Sequence, residues 1–193
     1  MNRISKSIAM LMALTPVLVA PIIQAQAVPP TEPQGTITGR GWLDLGGTAL
    51  VDITGSDRFP NDYDVEVYLP YFEWNPSPDG DIFVAANNAY GDNYAAQIMG
   101  YFHPPVSGDY IFWLSADDNA DLFLSTDSDP ANKHVIAREA GWSNARNWDS
   151  VGGAPSVVED KNSGTFAATE WPDGNTVTLQ AGQAYYIEAL MKE

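Results

Sequence analysis

Glycine and proline punctuate this chain so regularly that no long helix fits between them. The whole chain has 16 glycines and 14 prolines; beyond residue 35 they divide the sequence into short segments, and no stretch of a dozen residues holds a 3.6-residue apolar period. Short segments between turn residues are the pattern of an all-β sandwich or barrel. Alternation supplies the candidate strands. In Asp64 to Leu69, Val65, Val67 and Leu69 share one face, and Asp64, Glu66 and Tyr68 the other. Further strands are predicted over Thr36 to Leu45, Tyr94 to His103, Tyr110 to Ser115, Asp121 to Thr126, Lys133 to Arg138, Thr176 to Gln180 and Ala184 to Met191. Tyr110 to Ser115 is apolar on both faces, which predicts a central strand. Ala140 to Gly153 and Ala154 to Gly174 have no period and read as long surface loops.

The 193 residues amount to about one domain. Residues 1–27 are set apart. Arg3 and Lys6 precede an apolar run from Ile8 to Ile23, and Ala25-Gln26-Ala27 offers a small-x-small cleavage site. That order predicts an export signal cut after Ala27, the run being short of the roughly 20 residues of a membrane span. Residues 28–35, VPPTEPQG, form a proline-rich leader, and residues 36–193 form the domain. Loss of Arg3 and Lys6 with the signal moves the net charge from −16 to −18. Such acidity repels a phosphate backbone and argues against nucleic acid as a partner. The absence of cysteine excludes disulfides, thiolate-bound metals and thiol nucleophiles. The expected location is secreted, periplasmic or cell-surface, with no membrane span after cleavage.

Gly100 to Ser125, GYFHPPVSGDYIFWLSADDNADLFLS, resembles the core of the PA-fourteen domain, a β-domain of the protective-antigen type. The paired prolines, the Ser107-Gly108-x-Tyr110-x-Phe112 turn and strand, and the Ala116-Asp117-Asp118 step carry the likeness. Leu179 to Leu190, LQAGQAYYIEAL, is similar to the family's second block. The resemblance implies an antiparallel β-barrel or two-sheet sandwich. It also implies a module of extracellular glycosidases, adhesins and toxins whose commonest role is carbohydrate binding. In the adhesin branch two adjacent aspartates, joined by a cis peptide, hold a calcium ion that touches sugar hydroxyls. They match Asp117 and Asp118.

Consecutive side chains of a regular strand point to opposite faces, so two neighbouring carboxylates converge only where the backbone leaves the ladder. Calcium takes six to eight oxygens, so the pair needs carbonyls or sugar hydroxyls to complete the shell. Asn119 and Asp121 are nearby in the sequence. Two readings stand at this point: a calcium site, or a polar turn of the kind Asp and Asn favour. The family pattern continues past the YYIEAL strand with an acidic, glycine-rich loop and another strand, whereas the sequence stops at Glu193. The expectation is an incomplete C-terminal end whose open edge is covered by a larger polypeptide or a partner chain.

No catalytic constellation is visible. There is no Gly-x-Ser-x-Gly elbow, and His103 and His134 have no metal spacing. Asp127, Asp129 and Asn132 faintly resemble the start of an acidic calcium loop, but Pro130 interrupts it and a surface turn is the better reading. Glu139, Glu159, Glu170 and Glu188 are candidates for glycoside hydrolysis only by residue type. Trp142 and Trp171 lie in irregular stretches and are candidates to stack on sugar, while Trp148 is expected to plug an end of the barrel. The sequence therefore predicts an exported, non-catalytic carbohydrate-binding or adhesion module, its glycan bound through calcium on Asp117 and Asp118. The alternatives are a structural or protein-interaction domain without ligand, and a small glycan-active hydrolase.

Overall fold

The computed structural model describes residues 35–74 and 93–193. The predicted export signal and the leader up to residue 34 lie outside the described residues. Eight strands form in chain order: β1 (Ile37–Trp42), β2 (Val65–Leu69), β3 (Ala95–Phe102), β4 (Gly108–Tyr110), β5 (Asn119–Ser125), β6 (Lys133–Glu139), β7 (Val177–Leu179) and β8 (Tyr185–Lys192). One short helix, α1 (Leu50–Thr54), lies between β1 and β2. Two 3-10 turns, Pro130–Asn132 and Val158–Lys161, complete the regular structure of the described residues.

Six strands make one antiparallel sheet in the order β2-β1-β3-β8-β5-β6, and β4 pairs with β7 in a second, two-stranded sheet. The two sheets share a core. Leu122 and Leu124 of β5 and Ile187 of β8 pack with Val177 and Leu179 of β7. The fold is a two-sheet β-sandwich, and no closed barrel forms among the described residues. A β-bulge between Leu122 and Phe123 lets both Ile136 and Ala137 of β6 turn into this core.

A second apolar cluster joins Trp42, Ile53, Ala95 and Leu190, with the Trp42 ring edge-on to Tyr63 at 6.3 Å. It is capped by α1, a helix of five residues that is too short to leave a period in the sequence. The Asp52 carboxylate turns back to accept from the Ala49 N–H at 3.0 Å. Gly47 makes room for it: its φ is +89°, and a Cβ there would stand 2.2 Å from Asp52 Oδ2.

Three expectations need correction. Tyr110 to Ser115 is not a central strand. β4 ends at Tyr110, and the chain then bonds to an irregular neighbour, Leu114 N–H donating to Lys161 O at 2.9 Å and Ser163 N–H to Phe112 O at 3.0 Å. Ile111 and Trp113 are exposed as a result. The YYIEAL strand leaves no open edge, because β8 is bonded to β3 on one side and β5 on the other. The stretches 140–153 and 154–174 are irregular as expected but are not merely surface loops. Ser143, Lys161, Phe166 and Trp171 are buried within them.

Candidate functional site

The site arises where β5 begins beside the end of β8. Asn119 stands opposite Lys192 across the β5–β8 ladder. Glu193 extends β8 by one reciprocal pair of backbone hydrogen bonds with Tyr94. This register sets Asp117 and Asp118, just before β5, next to Glu193. One carboxylate oxygen from each of the three lies within 4.8 Å of the others. The Asp117–Asp118 peptide is cis. Asp117 also forms a lone antiparallel bridge with Trp142, and Ser143 N–H donates to Ala116 O at 2.7 Å.

The electrostatics follow from this crowding. Burial, then the charge and hydrogen bond of Asp118, then the charge of Glu139, push the Asp117 carboxyl above its ordinary value of 3.8. Lys192 lies buried nearby, its ammonium donating to Glu193 O. Desolvation holds its pKa down, while Asp52, Glu193 and Asp118 act in the opposite direction.

The three acids fit a hard divalent cation. Oxygens within 4.8 Å of one another share a point no more than about 2.8 Å from each, close to calcium's 2.3–2.6 Å bonding distance, and carboxylate oxygen suits calcium as a donor. They also stand on a ridge between two clefts. Asp118 faces the smaller, of ≈ 240 Å³, with Asn119, Trp142, Thr48 and Pro155 on its walls. Asp117 and Glu193 face a larger groove of ≈ 630 Å³ with Trp113 and Trp148 on its rim.

The sequence-predicted ligand residues divide on this geometry. Trp142 is 37% exposed and beside the acids; its indole lies against the backbone of Gly152 and Gly153, where a side chain would collide with the ring. Asn119 lines the smaller cleft and its Nδ2 donates to Ala140 O at 3.2 Å. Trp171 is not brought to the site. It is 7% exposed, packed in the sandwich core edge-on to His134, so neither face of its ring is open to a sugar. Trp148, expected to be a plug, is instead 44% exposed. Sequence reasoning missed Glu193, for which the only signal is strand register, and it passed over the environment of Glu139.

Beneath the acids, Ser143, Glu139 and Lys161 form a buried polar knot. Ser143 Oγ donates to Glu139 Oε2 at 2.6 Å, and Lys161 Nζ donates to Ser143 Oγ at 2.7 Å. Ser143 is buried, although it lies along the wall of the larger groove.

The model of the PA14 domain, the PA-fourteen family of the resemblance, matches residues 54–192. The chain belongs to the PA14 domain family. Among individual relatives, this PA14 chain is 27% identical over 130 residues to fibrocystin of Canis lupus familiaris, a stretch covering 65% of the chain and 3% of that protein. It is 40% identical over 45 residues to the mouse N-acetyl-β-glucosaminyl-glycoprotein 4-β-N-acetylgalactosaminyltransferase 1, covering 23% of the chain and 4% of that enzyme. The chain thus spans a few per cent of the length of these curated relatives. Among solved structures, the β-glucosidase of Kluyveromyces marxianus in complex with glucose aligns with a TM-score of 0.41 and 13% identity, over 80% of this chain and 14% of that one. Among the described residues no helix is long and apolar enough to cross a membrane.

Proposed function

We propose that this PA14 domain binds carbohydrate without transforming it, through a calcium ion held by Asp117, Asp118 and Glu193. The observation that carries the reading is the convergence of three carboxylates beside a small cleft walled by an exposed tryptophan. When bound, the ion would supply a fixed positive charge to which vicinal sugar hydroxyls can bond. The chain's own residues do the rest. Trp142 offers an apolar face to a sugar ring. Asn119, anchored to Ala140 O, holds its carboxamide at the cleft wall. A cleft of ≈ 240 Å³ lies below the roughly 300–1,000 Å³ of whole drug-sized pockets, so it suits a single sugar ring at the end of a glycan. The name of one curated relative, the mouse N-acetyl-β-glucosaminyl-glycoprotein 4-β-N-acetylgalactosaminyltransferase 1, supports a glycan ligand.

Melting temperature against calcium concentration tests the ion. At about 100 times Kd, binding adds about 2.7 kcal/mol, or roughly 5–10 °C for a chain of this size. Asp117→Asn is expected to remove most of that response. A glycan array run with calcium and with chelator tests the sugar, and signal that survives chelation would refute the ion-mediated mechanism. An adhesive role would follow from a cell-surface location. Export is supported by the composition of residues 1–27, and the mass of the mature chain tests cleavage after Ala27.

A further inference from the structure

Lys161 carries a charge into the middle of an irregular loop layer, and its side chain is wholly buried. Nζ donates to Ser143 Oγ at 2.7 Å, to Asn147 O at 2.5 Å and to Ser150 O at 2.8 Å. Those bonds use all three ammonium protons. Glu139 Oε2 lies 3.5 Å away and supplies the opposite charge. A buried charge is costly unless its partners nearly surround it, and here they do.

The positions of the partners show what the charge does. All three acceptors fall within residues 143–150, so that stretch is wound around the ammonium as oxygen ligands wind around a metal ion. The backbone of the same residue holds the facing segment, because Lys161 O accepts from Leu114 N–H at 2.9 Å. The segment leading to Asp117 and the loop opposite it are therefore fastened at one residue. They meet again at the Ser143 N–H to Ala116 O bond and the Asp117–Trp142 bridge. Glu139 ties the knot to the sheet: it ends β6 opposite Ala120, its Oε2 is used, and its Oε1 is buried with no hydrogen-bond partner.

We infer that Lys161 is a positioning residue, a built-in cation that holds the 143–150 loop and the Asp117–Trp142 contact in ligand-ready form whether or not a divalent ion is bound. The inference rests on the cation site proposed above and concerns how that site is prepared. A loop ordered in advance spares the ion the entropy of ordering it, which favours affinity.

The test uses the full chain in two measurements: hydrogen exchange of residues 143–150 with calcium and with chelator, and titration with calcium and with terbium, whose emission the tryptophans near the acids, Trp142 among them, can sensitise. In the wild type the loop is expected to exchange equally slowly in calcium and in chelator. In Lys161→Met, loop exchange should rise at least about tenfold, and the Kd for either ion about ten- to a hundredfold, as for other residues that orient metal ligands. Sensitised emission per bound terbium should fall as Trp142 moves. Leu179→Ala, in the β7 core and outside the hydrogen bonds of the Lys161 ammonium, should lower the melting temperature and leave loop exchange, Kd and emission unchanged. Should Lys161→Met not fold, Ser143→Ala removes one of the three acceptors and carries the same expectation at smaller size. Loop protection lost on chelation of the wild type would overturn the inference. So would loop exchange and Kd left at wild-type values in the variant that folds. If the wild type binds neither ion, the proposed function fails, and the exchange comparison still decides the role of Lys161.

Discussion

Adding one methyl group at Gly152 probes the candidate site more directly than removing a ligand. A Cβ at residue 152 would stand 2.1 Å from Trp142 Cε3 and 2.3 Å from Cζ3. The indole is rigid and cannot bend its tip aside. Restoring ordinary contact at about 3.4 Å requires the ring to retreat by about 1.3 Å. Trp142 is 37% exposed, so it has room toward solvent, and the stability cost of Gly152→Ala is expected at the low end of overpacking, about 1–2 kcal/mol. For a chain of this size that is a fall of roughly 2–8 °C in melting temperature. Binding should suffer more than stability, because the displaced ring is a wall of the smaller cleft and its backbone is bridged to Asp117. A misfit of this size against a bound ring costs about tenfold or more in affinity. The assays are thermal unfolding, acrylamide quenching of tryptophan emission and titration with the best glycan from an array. An unchanged melting temperature together with unchanged quenching would show that the ring does not lie on Gly152. Altered quenching with unaltered glycan affinity would remove Trp142 from the binding surface.

Three further outcomes are expected. Asp64 accepts from Arg58 Nη2 at 2.7 Å and from the Leu43 N–H at 2.6 Å, and these bonds, Arg58 first, hold its pKa below the ordinary 3.8. Its contribution is thus fully present above pH 3.8 and is lost as pH falls through the lower folded value, so Asp64→Asn should be less stable than wild type at pH 6, with the gap closing toward pH 2; a gap independent of pH would contradict this. Arg138 grips Asp121 with two bonds of 2.6 Å, and Asp121 is buried, so Arg138→Leu should cost about 3 kcal/mol in urea unfolding, with much of the loss recovered in Arg138→Leu/Asp121→Leu. Leu124→Ala, near the end of β5 with no exposed surface, should cost about 2–5 kcal/mol in the same measurement.

The parts of the fold that were legible in the sequence are those where one face is buried and the other is wet. Val65, Val67 and Leu69 alternate with Glu66 and Tyr68, and β2 forms there with the polar positions outward. The pattern misled at Tyr110 to Ser115, where alternation of large apolar residues looks like a central strand. Its partner is the irregular segment around Lys161 to Ser163, which has no periodicity to recognise. At the site, Asp117 and Asp118 are adjacent in the chain and so were visible together. Glu193 is brought beside them by the β5–β8 register alone, a relation between distant segments that no local pattern records. Trp142 and Trp171 both sit in irregular chain, yet one is half-exposed at the acids and the other is core. Without a period, nothing in the sequence separates inward from outward.

The strand order also dictates when the sheet can exist. β8 follows the other described strands in sequence and is wedged between β3 and β5, so the half-sheets β2-β1-β3 and β5-β6 share no ladder until residues 185–192 have left the ribosome. A growing chain therefore carries bare strand edges on either side of a vacant slot, the kind of surface that chaperones guard. Any truncation that removes this last strand would split the sheet down the middle and scatter the acidic trio with it.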